Sequence, residues 1–137
     1  MNDDKTMKEI LLSARTIATV GLSSNPEKDS YGVAQYLKNQ GYRVIPVNPT
    51  TDQVLGEKSY PDLESVPEKI DVVQVFRKPE DVPPVVDGAI KAGARVVWMQ
   101  EGIVNEEAGQ KARAAGLQVV MDACMRDTHK RLIGSKL

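Results

Sequence analysis

IATVGLSSNPEKDSYGVAQYLKNQGYRVIPVNP (residues 17–49) decides the fold. It opens on residues 17–22, apolar nearly throughout rather than alternating. Strands of that kind are covered on both faces, as in a parallel sheet. Gly21 and the Ser-, Asn- and Pro-rich stretch after it break the run. Val33, Ala34 and Leu37 then mark one face of a helix, and Gly41 is its stop signal. A second apolar run, YRVIPVN (42–48), follows. Strand, helix, strand is a βαβ unit, and such crossovers are right-handed.

The same rhythm continues in both directions. IDVVQVF (70–76), ARVVWMQ (94–100) and LQVVM (117–121) are three further strands. Met7, Ile10, Leu11 and Ala14 fall at helical spacing before the first strand. Val82, Val85, Val86, Ala89 and Ile90 form an amphipathic stripe closed by Gly93. Asn105 caps a helix with Glu106 and Glu107 in its first turn and Ala108, Ala112 and Ala115 on its buried face. Residues 126–133 predict a last short helix. The Pro-, Asp- and Gly-rich segment 49–69 holds only a helical turn near Asp62 to Ser65. The pattern predicts an α/β, Rossmann-like, doubly wound sheet of five parallel strands, in one domain spanning 1–137, with helices on both faces. The expected strand order is 3-2-1-4-5. Winding then reverses between the first and fourth strands, and ligands bind beyond the carboxyl ends of strands at such a switch point.

Composition narrows the function. The chain has 137 residues and 15.0 kDa, with 41% hydrophobic and 27% charged residues, so it can bury a real core. Its 18 Lys and Arg nearly balance 19 Asp and Glu, for a net charge of −1. That balance argues against a nucleic-acid binder, which relies on phosphate neutralisation. Aromatics at 4% leave little for base stacking. No apolar run approaches the ~20 residues that span a bilayer, and the N-terminus lacks the basic and apolar regions of a signal peptide. The single Cys124 and single His129 exclude an internal disulfide and Cys-rich or multi-His metal sites. A cytoplasmic protein with no membrane association is the expectation.

The strand ends hold the candidate site. After the first strand, Gly21 permits a tight turn, and Leu22, Ser23, Ser24 and Ser30 lead to a helix expected to begin near Tyr31. Its free N–H groups and dipole suit a phosphate. An ordinary βα loop with a Ser N-cap is the alternative. The loop is not G-x-G-x-x-G, because Ser23 and Pro26 stand at the second and third glycine places. Val47, Asn48 and Pro49 supply no carboxylate for ribose hydroxyls. Both departures weigh against NAD. Phe76, Arg77 and Lys78 follow the third strand. The two cations suit a phosphate, which Arg77 can grip bidentately, and a solvated charge pair, the commoner fate of Arg-Lys in loops, is the alternative. Trp98 is a packing residue, while Gln100 and Glu101 lie where a polar ligand group would pass. Cys124 reads as a small buried residue or as a thiol near a helix start. His129 is not at helical spacing from it.

The matching segments are residues 17–49, LGEKSYPDLESVPEKIDVVQVFRKPEDVP (55–83), VVWMQEGIVNEEAGQKARAAGLQVVMDACM (96–125) and HKRL (129–132). In this order they resemble the small single-domain CoA-binding proteins. That domain is also the N-terminal part of the succinyl-CoA synthetase alpha subunit and of ADP-forming acyl-CoA synthetases. The resemblance implies coenzyme A as the ligand, free or acylated, with its pyrophosphate on the loop from Gly21 to Tyr31. It implies that Val47, Asn48, Pro49, Phe76 and Arg77 surround the adenosine part. It implies that Gln100, Glu101 and Gly102 pass the pantetheine end. Thr50 and Ala123 depart from the basic residues that the family often carries there. The resemblance supports binding and not a complete ligase, whose phosphorylated histidine and nucleotide chemistry lie in further domains. Three readings stay open: a CoA-binding module, an NAD(P)-dependent oxidoreductase domain, and a CoA-sensing regulatory protein whose partner the sequence does not name.

Overall fold

The protein is described by a computed structural model covering residues 2–134. Helix α1 (Asp4–Ser13) leads into strand β1 (Thr16–Val20), helix α2 (Asp29–Asn39) and strand β2 (Arg43–Val47). A hairpin of β3 (Gln53–Val54) and β4 (Glu57–Lys58) follows, then a 3₁₀ turn at Leu63–Ser65. Then come β5 (Val72–Val75), a 3₁₀ turn at Pro79–Asp81, α3 (Val82–Lys91), β6 (Val96–Met99), α4 (Glu106–Ala114), β7 (Gln118–Val120) and α5 (Met125–Leu132). Every neighbouring pair in the five-stranded sheet is parallel. The doubly wound, Rossmann-like α/β class is therefore borne out.

Strand alternation divides the core in two. Ile17, Val72, Val96 and Trp98 turn to one face, where Met7, Ile10 and Leu11 of α1, Leu37 of α2 and Met125 of α5 cover them. Ala18, Val20, Val73, Val75, Val97 and Met99 turn to the other, under Val82 and Val86 of α3 and Ala108 and Ala112 of α4. Both faces are buried, which is why the strands read as unbroken apolar runs. The expected Asn105 cap is present, its side chain accepting from the Ala108 N–H at 2.9 Å. The expected turn after Asp62 is present too, with Asp62 accepting from the Ser65 N–H at 2.8 Å.

The strand order differs from the expectation. It is β2-β1-β5-β6-β7, so the five strands in chain order run 2-1-3-4-5 rather than 3-2-1-4-5. Pro46 gives the reason. It lies inside β2 and has no N–H, so its strand belongs at an edge. The Pro46 carbonyl accepts from the Tyr60 N–H at 3.1 Å, on the side away from β1. The missing N–H faces that same side, where the sheet has no further strand to bond it. The order 3-2-1-4-5 would have placed this proline in the sheet interior. Winding accordingly reverses between β1 and β5, not between the first and fourth strands.

The opposite sheet end is stapled by Asp71. Its carboxylate accepts from the N–H groups of Arg15 (2.9 Å) and Thr16 (3.0 Å), tying the start of β1 to the start of β5. Burial raises the Asp71 pKa, but these two N–H groups and the charges of Arg95 and Lys69 outweigh it and hold the carboxyl below its ordinary value.

Candidate functional site

Beyond β1 and β5 the chain turns to opposite faces of the sheet, toward α2 and α3, and Gly21 packs against Phe76 at this switch point. Its φ of +87° is left-handed, and a Cβ there would lie 2.3 Å from the Phe76 carbonyl oxygen. Only glycine fits that approach. Backbone bonds hold the contact on both sides: the Gly21 N–H donates to Val47, and the Phe76 N–H donates to Val20, each at 2.9 Å. The Asn48 side chain donates to the Leu22 carbonyl at 3.0 Å, so Asn48 holds the loop from the β2 side. The Ser23 N–H donates to the Ser30 hydroxyl at 3.0 Å, and the Asn25 N–H donates to the Ser23 hydroxyl at 3.0 Å.

Helix α2 begins at Asp29, earlier than the expected start near Tyr31. Lys28 occupies the N-cap position, and no side chain caps the helix. Ser30 is buried in the first turn and faces Ser23 instead of capping. The Ser N-cap alternative is thereby corrected. The sequence placed the cap on the serine because hydroxyls commonly cap helices, but this hydroxyl closes the loop.

Two cavities open along the crevice. One, of about 440 Å³, lies on the α3 side, lined by Val20, Val47, Pro49 and Arg77 with Leu63, Glu64, Pro84, Val85 and Gly88 among others. The second, of about 370 Å³, lies on the α2 and α5 side. Its lining is Asp29, Val33, Phe76, Gln100, Glu101, Ile103, Cys124, Arg126 and Asp127. Phe76 and Arg77 are consecutive, and each lines a different cavity.

A polar ladder crosses the sheet to the second cavity. The Thr19 hydroxyl donates to Gln74 Oε1 at 2.8 Å, and Gln74 Nε2 donates to Gln100 Oε1 at 3.0 Å. The backbone N–H of Met125, at the start of α5, donates to the same Gln100 oxygen at 2.9 Å. Beside it, the Gly102 N–H donates to Asp122 Oδ1 at 2.6 Å, and Asp122 itself has a left-handed φ of 56°.

The expected site residues thus fall into groups. Val47, Pro49 and Arg77 line the first cavity, and Phe76, Gln100 and Glu101 the second. Gly21, Ser23, Ser30 and Asn48 build the loop between β1 and α2. Leu22 turns its side chain fully into the core. Tyr31 packs partly buried against that core, and Ser24 is exposed. Gly102 lines neither cavity. Trp98 is fully buried, donating from Nε1 to the Ala123 carbonyl at 2.9 Å. Cys124 is buried yet lines the second cavity. His129 lines a different cavity, and its Nδ1 lies 2.8 Å from the Tyr36 hydroxyl. Sequence reasoning missed the walls contributed by the turn at Leu63–Ser65 and by Pro84, Val85 and Gly88.

A doubly wound parallel sheet with an open crevice at its switch point is the architecture of a Rossmann-like ligand-binding domain. Residues 15–129 match the CoA binding domain family, and the chain belongs to it. It is 42% identical over 123 residues to the uncharacterized protein YneT of Bacillus subtilis, covering 90% of this chain and 91% of that one. A solved structure of a hypothetical protein from Pyrococcus horikoshii superposes with a TM-score of 0.94 at 46% identity, over 97% of this chain and 94% of that chain. A dinucleotide-forming acetyl-coenzyme A synthetase of Ca. Korarchaeum cryptofilum, solved with phosphate and ADP, gives 0.71 at 31% identity. There the match covers 87% of this chain and 27% of the synthetase. Among the described residues, no helix is long and apolar enough to cross a membrane, and no cluster of His, Cys, Asp and Glu could hold a metal ion.

Proposed function

We propose that the chain is a binding module for coenzyme A or an acyl-CoA, held non-covalently across the β1–β5 crevice. The adenosine part lies in the cavity of Val47, Pro49 and Arg77. The pyrophosphate crosses the loop at Gly21 to Ser30, before the uncapped start of α2, where backbone N–H groups and the helix dipole favour an anion. The pantetheine arm enters the cavity of Phe76 and Gln100. The observation that carries this reading is the pair of cavities on opposite faces of one sheet, meeting at the Phe76–Arg77 step. A compact metabolite would use one of them. A long ligand with an anionic middle uses both, and the absent side chain of Gly21 keeps the passage low.

Family membership supports the same ligand. Isothermal titration should give one CoA per chain and much weaker binding of NAD. A ligand that binds only the folded state also raises the unfolding temperature, so a thermal-shift series of CoA, acetyl-CoA, NAD, NADP and ATP gives an independent ranking. NAD binding as tightly as CoA would overturn the proposal.

A further inference from the structure

We infer that the Gln100 carboxamide is the donor that reads a carbonyl oxygen of the bound ligand's arm, and that Gln74 and Thr19 are positioning residues that set which way it points. This rests on the CoA reading above and fixes the polarity of one subsite within it.

The orientation follows from a single fixed donor. A carboxamide can be turned over without changing its shape, so its direction must come from its partners. The Met125 backbone N–H can only donate, and it lies 2.9 Å from Gln100. Gln100 must therefore present its oxygen there. That oxygen also faces Gln74, which must present its nitrogen at 3.0 Å. Gln74 then presents its own oxygen to Thr19, whose hydroxyl donates at 2.8 Å. The Thr19 hydroxyl could serve in either sense, so the polarity is imposed from the α5 end. Turning Gln100 over would set its NH₂ against the NH₂ of Gln74 and the N–H of Met125. Thr19 and Gln74 are 0% exposed and Gln100 is 3% exposed, so no water would relieve that clash of donors.

One polar group remains. With its oxygen committed twice, Gln100 has only Nε2 left, and among the described residues Nε2 has no hydrogen-bond partner. Gln100 lines the second cavity beside Val33, Phe76 and Ile103. Three carboxylates, Asp29, Glu101 and Asp127, also line this cavity against one cation, Arg126, so an acceptor for the fixed N–H donor is better neutral than anionic. The pantetheine arm carries amide carbonyls, and an acyl-CoA adds a thioester carbonyl. The ladder also accounts for a cost that packing does not: a Thr and two Gln buried on the sheet face that otherwise carries Ile17, Val72, Val96 and Trp98.

The test is titration of the full chain with CoA, acetyl-CoA and adenosine 3′,5′-bisphosphate, which lacks the arm. Gln100→Glu keeps the shape and the acceptor for Met125 but turns an oxygen into the cavity. CoA affinity should fall about tenfold or more, with the bisphosphate within about twofold of the native value. Equal losses for CoA and acetyl-CoA assign the donor to an arm amide. A larger loss for acetyl-CoA assigns it to the thioester. Gln74→Glu, which sets oxygen against the Gln100 oxygen, should lower CoA affinity in the same selective way. The double variant should lose little more than Gln100→Glu alone. Should Gln74→Glu fail to fold, the isosteric Thr19→Val carries the positioning test with a loss of a fewfold, again confined to ligands with the arm. Native-like CoA binding by Gln100→Glu, or equal losses for CoA and the bisphosphate, overturns the inference while the CoA reading stands. A native chain that does not bind CoA overturns both.

Discussion

Gly21→Ala adds one methyl group at the narrowest point of the crevice. At φ +87° an L-residue pays about 1–2 kcal/mol for left-handed backbone. The new Cβ would stand 2.3 Å from the Phe76 carbonyl oxygen, whereas real Cβ contacts stay above 3.0 Å, so the two strand ends must part by about 0.7 Å. The opposing atom is backbone, and no rotamer change relieves it. Overpacking of this kind adds about 1–3 kcal/mol. The expected destabilisation is thus about 2–5 kcal/mol, a large share of a typical domain's 5–15 kcal/mol, and the melting temperature should fall by about 10 °C. Gly41→Ala is the control. Its φ is +101° with nothing within 4 Å of the added Cβ, so it bears only the backbone cost. Urea unfolding of both variants measures the difference, which isolates the contact from the dihedral. Because Phe76 and Arg77 move with the displaced carbonyl, CoA affinity should fall for Gly21→Ala and stay native for Gly41→Ala. Equal stability losses in the two variants would refute the close approach of β1 and β5.

Further expectations can be checked independently. Arg77→Ala removes a charge-assisted contact and should weaken CoA ten- to a hundredfold, but 3′-dephospho-CoA far less, in parallel titrations; equal losses would mean that Arg77 does not meet that phosphate. Asp29→Asn removes a carboxylate from the first turn of α2, beside the expected pyrophosphate, so CoA should bind a fewfold tighter at low salt, with the gain shrinking as salt is added. Cys124 lines the second cavity, so saturating CoA should slow its alkylation by iodoacetamide, followed by intact mass, whereas NAD should not. Asp71→Asn should destabilise the fold at neutral pH. The Asp71 carboxyl lies below its ordinary 3.8 when folded, so its contribution is present above that value and disappears as pH falls through the folded pKa; unfolding curves of native and variant should converge in acid.

The five strands and five helices were legible because both sheet faces are buried and helices cover them in alternation. Their order was also written in the chain, at Pro46, but the apolar periodicity that reveals a strand says nothing about its neighbours. The β3–β4 hairpin was not legible. Its strands are two residues each, and its turn puts Leu55 at φ 52° before Gly56 at φ 77°, a position where leucine gives no signal. At the site, residues directly after strands were readable from the switch-point rule. The α3-side wall was not, because Leu63 and Val85 reach it from segments with no chemical mark of their own. Thr19 and Gln74 did carry a mark: a polar side chain inside a strand buried on both faces needs a partner.

The corrected order changes what one ligand can touch. Neighbouring strands lie about 4.8 Å apart. In the order 3-2-1-4-5 the end of the third strand, with Phe76 and Arg77, would stand three strand spacings from the end of the fourth, with Gln100, or about 14 Å. In the observed order β5 and β6 are adjacent, and the Gln100 N–H donates to the Val75 carbonyl at 3.3 Å. Gly21, Phe76 and Gln100 therefore stand at the ends of three successive strands, β1, β5 and β6. That adjacency lets Gln74, in the middle strand, bond to Thr19 on one side and Gln100 on the other. A carboxamide in β5 can span to both neighbours only when β5 lies between β1 and β6. The edge position that Pro46 imposes on β2 is thus what leaves β5 free to carry the ladder to the crevice.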